Sequence, residues 1–260
     1  MATAPTAAAL PIFYKDLVPL NSNEHAKFKT RPIDNAKFME GQHAIPLTVE
    51  EFVMASRHFP IIFSAGDNPV PLALMGMNEG VNVFMDEAGQ FTNNVYLPAY
   101  IRRYPFMLAR LRPDADELSL CFDPSSEAVG EFKKDGEALF DGETPTENTQ
   151  NILKFCEDFE QAGARTHQFV EELTKAGLLM EGEVAIQQEG NEKPFVYRGF
   201  QMVDEEKLRE LRGDELRKMN QSGLLPLIYA HLFSLQLMRE LFATQVQQGK
   251  VPQAVELPTA

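Results

Sequence analysis

Three short apolar runs in the first third of the chain, Ile61-Ile62-Phe63, residues 70–77 and residues 81–85, are separated only by Gly66-Asp67-Asn68-Pro69 and Asn78-Glu79-Gly80. Connections this short hold a turn but no crossover helix, so neighbouring strands made from these runs must be antiparallel. The pattern returns twice. Residues 106–111 and 118–122 flank Arg112-Pro113-Asp114-Ala115-Asp116, and residues 184–188 and 195–203 flank Glu189-Gly190-Asn191-Glu192. Each pair reads as a hairpin. Upstream, residues 14–20 read as an extended arm and residues 43–47 as a brief strand.

Helices are marked by their starts and stops. Thr48-Val49-Glu50-Glu51 has capping-box spacing, in which hydroxyl and carboxylate satisfy the first free amides, and a helix is expected from there to His58. Residues 127–133 read as a short helix and residues 135–142 as loop. Thr144-Pro145-Thr146-Glu147 places a capping threonine before a proline at the first helical position. Ile152, Phe155, Cys156, Phe159, Phe169, Val170 and Leu173 follow at helical spacing, and Gly177 is a natural stop. Asp204 reads as the cap of a further helix, residues 214–220 as another, and residues 224–247 as one final helix, apolar on nearly every side and therefore buried.

The expected fold is α+β: an antiparallel β-sheet of meander and hairpins, packed against a long amphipathic helix and a buried C-terminal helix. Residues 1–10 read as a frayed tail, residues 11–248 as a single domain, and residues 249–260 as a loose tail. Within the domain, residues 11–143 form the β-rich part and residues 144–248 the helix-rich part. With 260 residues, 44% of them hydrophobic, the chain can bury a sizeable core.

Formal net charge is -14, which repels phosphate backbones and anionic membrane surfaces, so nucleic acid is not an expected partner. Cys121 and Cys156 are the only cysteines and both lie among apolar residues; two buried, reduced thiols are expected. No basic residue precedes the short apolar run over residues 7–13, so the N-terminus does not read as a secretory signal. Residues 224–238 are too short and too interrupted by polar side chains to span a membrane. A cytoplasmic location is expected.

For chemistry, the most informative stretch is Tyr96-Leu97-Pro98-Ala99-Tyr100-Ile101-Arg102-Arg103-Tyr104-Pro105-Phe106. Pro98 can open a helical turn and Pro105 should stop it at Tyr104, leaving a stiff corner that carries two adjacent arginines. A planar guanidinium fork suits a carboxylate or phosphate, so Arg102 and Arg103 are the candidate ligand-binding residues, supported by Tyr100 and Tyr104. The competing reading pairs one arginine with a carboxylate such as Asp123 or Glu87 and leaves the other in water. No two histidines stand at metal-ligand spacing, and His231, inside the final apolar helix, reads as a core histidine with one hydrogen bond. No nucleophile elbow, phosphate loop or dinucleotide fingerprint occurs, so no cofactor and no metal is expected.

The corner, together with Tyr14 to Leu20 and His25, Ala44-Ile45-Pro46-Leu47, Phe59-Pro60-Ile61, Asn82-Val83-Phe84, Leu139-Phe140 with Gly142, and residues 223–235, resembles a bacterial family called SapC-like. The likeness covers nearly the whole chain. The family's name links it to the paracrystalline surface layer of some bacteria, and it implies no catalytic residues. The leading expectation is a non-catalytic binding or accessory protein, connected with cell-envelope assembly or nutrient uptake, that holds an anionic group of a small ligand or a protein partner. One alternative is an enzyme acting on a carboxylate- or phosphate-bearing small molecule through an Arg/Tyr pocket; another is a structural subunit of the surface layer.

Overall fold

The short connections do enforce antiparallel pairing. The computed structural model describes residues 10–32, 35–92, 94–111, 117–187 and 194–250. The expected turns over 112–116 and 189–192, and most of the two expected tails, lie outside the described residues. The chain runs β1 (Val18–Pro19), α1 (Ser22–His25), β2 (Lys29–Thr30), β3 (Ala44–Pro46), α2 (Phe52–Ala55), β4 (Ile61–Ser64), β5 (Pro71–Leu74) and α3 (Ala99–Arg102). It continues through β6 (Phe106–Ala109), β7 (Ser119–Phe122), β8 (Val129–Gly130), β9 (Glu137–Ala138), β10 (Phe140–Asp141) and β11 (Thr144–Pro145) to the long α4 (Glu147–Lys175). β12 (Leu179–Ile186), β13 (Phe195–Val203), α5 (Glu205–Glu210), α6 (Gly213–Gln221), α7 (Leu224–Ser234) and α8 (Leu237–Gln247) complete it. The architecture is α+β, with antiparallel sheets, a long helix and a C-terminal helix pair.

The chain divides into two compact units: Met1–Asp34 with Arg103–Glu160, and Asn35–Arg102 with Gln161–Ala260. In the first unit, β6 and β7 form the expected hairpin, with Phe106 opposite Phe122, and the N-terminal arm adds β1 beside β7. Tyr14 ties the arm down by donating to the Phe106 carbonyl at 2.7 Å. The buried carboxylate of Asp123 accepts from the Lys15 amide at 2.8 Å and from the Ser125 amide at 2.8 Å, so it is engaged by backbone rather than by an arginine. The expected helix over 127–133 is instead β8, paired with β2. Just upstream, the Ser126 hydroxyl accepts from the Ala128 amide at 3.2 Å, and Arg31 donates its amide to the Ala128 carbonyl at 2.9 Å, extending the β2 contact.

The start of α4 also differs from expectation. Thr144 and Pro145 are paired as β11 with β10, and Thr146 does the capping, its hydroxyl 3.4 Å from the Thr149 amide. Cys156 on this helix packs with Phe106, Leu108, Phe122, Leu139 and Phe140. Both cysteines are buried and reduced.

The second unit holds a five-stranded sheet in the order β12-β13-β4-β5-β3, every neighbouring pair antiparallel. β4 is central and covered on both faces. Ile62 packs with Met238, Leu241 and Phe242 of α8, while Phe63 stacks at 6.4 Å on Phe169 of α4. The first three positions of β4 are buried, which is why its sequence runs Ile-Ile-Phe before Ser64 instead of alternating. Each such side chain removed from water stabilises the fold by about 1.5–3 kcal/mol. The run over 81–85 is not a strand of this sheet: Val83 is buried against the core and only Met85 makes a bridge, to Phe91. Gly76 allows this layer to close, because a Cβ there would lie 1.9 Å from the Val81 carbonyl oxygen. Gly182 has a similar cause, the Phe200 ring occupying the space 2.2 Å from where its Cβ would be.

The final helix is two helices, and α7 inverts the usual pattern. Its buried positions are Ile228, His231 and Ser234, whereas Tyr229 and Phe233 stack on each other at the surface, Phe233 being 66% exposed. The reason lies in the sheet. β13 and β4 pair at Phe200 with Ser64 and Gln201 with Phe63, a register that would next set Val203 opposite Ile61. There the imidazole of His231 stands between the strands, accepting from the Val203 amide at 3.1 Å and donating from Nδ1 to the Ile61 carbonyl at 2.8 Å. Ser234 accepts from the Ile61 amide at 2.8 Å and donates to the His231 carbonyl at 2.6 Å. His231 is thus a core histidine, with two hydrogen bonds where one was expected. Burial pushes its pKa down to about 4, the Ile61 carbonyl opposing, because an imidazolium would need water and has no lone pair left for the Val203 amide.

Candidate functional site

Each part of the arginine corner has a definite anchor. In the second unit, the Pro98 carbonyl accepts from the amides of Ile101 and Arg102 at 3.0 and 3.1 Å, forming the helical turn that proline opens. The turn is held by Glu51, which is 5% exposed. One carboxylate oxygen accepts from the Ala99 amide at 2.6 Å and from the Tyr96 hydroxyl at 3.0 Å. The other accepts from the Thr48 amide at 3.0 Å and the Thr48 hydroxyl at 2.9 Å, completing the capping box. A carboxylate gripped by several donors is well compensated for leaving water. Tyr96 is pushed up to about 12, first by burial and then by the Glu51 charge, so near neutral pH it is a donor and not a base.

Arg102 is exposed. Its Nε donates to the Leu97 carbonyl at 3.0 Å, its Nη2 lies 3.5 Å from the Tyr96 hydroxyl, and its guanidinium carbon is 6.0 Å from the centre of the Tyr96 ring. Tyr100 is 7% exposed and belongs to the packed side of the turn. The arginine is therefore connected, through Tyr96, to the buried carboxylate that fixes the turn.

Arg103 opens the second stretch of the first unit and has different surroundings. It is 6% exposed, its guanidinium carbon 4.2 Å from the centre of the Phe159 ring and 5.9 Å from that of Tyr14, with Nη1 3.6 Å from a Glu160 oxygen. Its partner is thus Glu160, not Asp123 or Glu87. The Glu160 carboxyl is raised by partial burial while Arg103 pulls it back, and the neighbouring Cys156 thiol is pushed up to about 12, mainly by burial. Such a thiol does not ionise near neutral pH and is no nucleophile. Tyr104 packs edge-on to Tyr14 at 5.3 Å and to Phe13 at 6.1 Å; burial raises its hydroxyl, Asp123 adding to the effect and hydrogen bonds from Ser126 and Ser125 opposing it.

The four residues singled out in the sequence thus fall in two sets, Tyr100 and Arg102 in one unit, Arg103 and Tyr104 in the other. Two residues that sequence reasoning missed are Glu51 and Glu160. Thr48-x-x-Glu51 announced the local cap, but nothing local marks the reach to Tyr96 and Ala99. Glu160 sits on the charged side of an amphipathic helix, a position that ordinarily means solvent.

Among the described residues there is no cluster of three or more histidine, cysteine, aspartate or glutamate side chains that could hold a metal ion, and no helix long and apolar enough to cross a membrane. Neither a curated protein nor a solved structure matches the chain. The SapC family model matches residues 20–241, a span that contains the β4–β5 hairpin, the arginine corner, α4 and the His231 seam, and the chain belongs to that family.

Proposed function

We propose that the protein is a non-catalytic binding or accessory protein that recognises an anionic group, on a small ligand or a protein partner, through Arg102. The observation that carries this reading is an exposed guanidinium whose Nε is tied to the Leu97 carbonyl and whose neighbour Tyr96 is tied to buried Glu51. A side chain already held in one orientation loses less rotamer freedom when it meets a carboxylate or phosphate, and the planar fork offers a paired contact that an ammonium does not. Tyr100, in the packed turn, supports that orientation. Arg103 and Tyr104 are engaged inside their own unit by Glu160, Phe159, Tyr14 and Phe13, so in this reading they shape their end of the corner and Arg102 meets the ligand.

The test is titration of the full chain with inorganic phosphate, citrate and succinate, following the Nε–H resonance of Arg102 and the Tyr96 ring signals. Saturable shifts are expected, reduced about tenfold in affinity by Arg102→Lys and abolished by Arg102→Ala, with both variants as stable as the parent. Equal binding by Arg102→Ala, or no shift with any of the anions, removes the role assigned to this arginine.

A further inference from the structure

The two edges of the five-stranded sheet differ in a way that matters for association. β3 is three residues long and ends in Pro46, which cannot donate, so it offers little to a new strand. β12 is eight residues long, contains no proline, and among the described residues is the terminal strand on the other side. Its irregularity lies on its partner: between Gly182 opposite Phe200 and Val184 opposite Tyr197, β13 carries the extra residue, with Gly199 at a φ of +86°. The bulge therefore leaves the outer rim of β12 regular.

The two faces flanking that rim have opposite chemistry. Toward solvent stand Glu181 and Glu183, the latter bridged to Arg198 at 2.6 Å. The end of β12 opens on a pocket of about 600 Å³ whose apolar wall is Ile186 with Phe242, Ala243 and Val246 of α8, and whose lining also includes the Arg239 side chain. The lining takes residues from β12 and none from β13, so the pocket lies on the rim side of the sheet. A strand laid along this rim would alternate its side chains between the two glutamates and the apolar wall of the pocket, because successive side chains of a strand point to opposite faces.

We propose that β12 is a docking rim for an extended peptide segment that alternates basic and apolar side chains and adds to the sheet as a sixth strand. Main-chain hydrogen bonds along the rim supply the attraction common to any extended segment, and the two faces supply selectivity: lysine or arginine beside Glu181 and Glu183, an aliphatic side chain in the pocket. A second copy of this chain fits less well. Pairing two β12 strands would place glutamates beside glutamates across the new seam and bring together two molecules of net charge -14. The partner is therefore a basic, extended segment of another protein, and this surface is separate from the Arg102 corner.

The probe is a short acetylated peptide alternating lysine and valine, titrated into the full chain and followed by calorimetry and by amide exchange. Binding is expected to be saturable and to slow exchange across Leu179–Ile186. It should weaken at least about tenfold when alternate peptide nitrogens are methylated, when Glu181→Lys and Glu183→Lys are combined, or when the pocket is filled by Ala243→Trp at an exposed position. Four results overturn the proposal: no binding, unchanged binding of the methylated peptide, protection that appears away from β12, or self-association of the chain through β12 in sedimentation.

Discussion

Glu51 and His231 solve the same problem in different places. Each is a buried polar side chain that takes the position of a missing backbone partner, Glu51 at the start of the corner turn and His231 between β4 and β13. Glu51 offers acceptors only and gathers four donors, so its charge is an asset. His231 must accept on one nitrogen and donate on the other, so it works only when neutral. The seam is therefore a region whose integrity depends on a neutral imidazole.

The sharpest break of this comparison is Glu51→Ala, which strands the Ala99 and Thr48 amides and two hydroxyls. A loss of about 3–5 kcal/mol is expected in urea denaturation, with Glu51→Gln recovering part of it. Next comes the pH dependence of the seam. The folded pKa of His231, about 4, lies below its ordinary value of 6.5, so between those values the unfolded chain binds the extra proton and stability falls as pH falls. The decrease should reach about 3 kcal/mol by pH 4 and be missing from His231→Gln, compared at matched pH so that other groups cancel. A parent and a variant with parallel pH profiles would show that the imidazole is not the sensitive group.

A smaller effect is expected from Ser234→Ala, which leaves the Ile61 amide without its acceptor and should cost about 1–2 kcal/mol with no change in the shape of the pH profile. Smallest is Phe233→Ser. Although phenylalanine is the most apolar-looking residue of α7, it is 66% exposed, and thermal unfolding should register a change within about 0.5 kcal/mol. A larger loss would mean that this side chain is covered in solution.

What the sequence revealed follows from range. The β4–β5 and β6–β7 hairpins, the Thr48 box, the Asp204 cap and the Gly177 stop are all written within a few residues, where turn chemistry and side-chain spacing act directly. The Asp204 carboxylate, for example, accepts from the amides of Glu206 and Lys207 as its position suggested. The division of the last helix at Leu235 and Gln236 was not legible, because no glycine or proline marks it. His231 was legible as a core histidine, but the exposure of Phe233 was not, since a helix apolar on nearly every side gives no sign of which face a distant gap in the sheet will claim. In the corner, the sequence showed a stiff turn carrying two arginines, but their neighbours Glu51 and Glu160 lie about fifty residues away on either side.

The seam also changes what the Val203 amide reports. In an ordinary ladder its exchange with solvent would track the parting of two strands. Here its partner is borrowed from a helix, so deuterium should enter at Val203 whenever α7 lifts off, even while Phe200 and Gln201 stay locked to β4. One backbone position thus serves as a gauge of tertiary docking, and replacing the histidine with leucine to make α7 a better hydrophobic helix would silence that gauge and unzip the very strands such a design meant to secure.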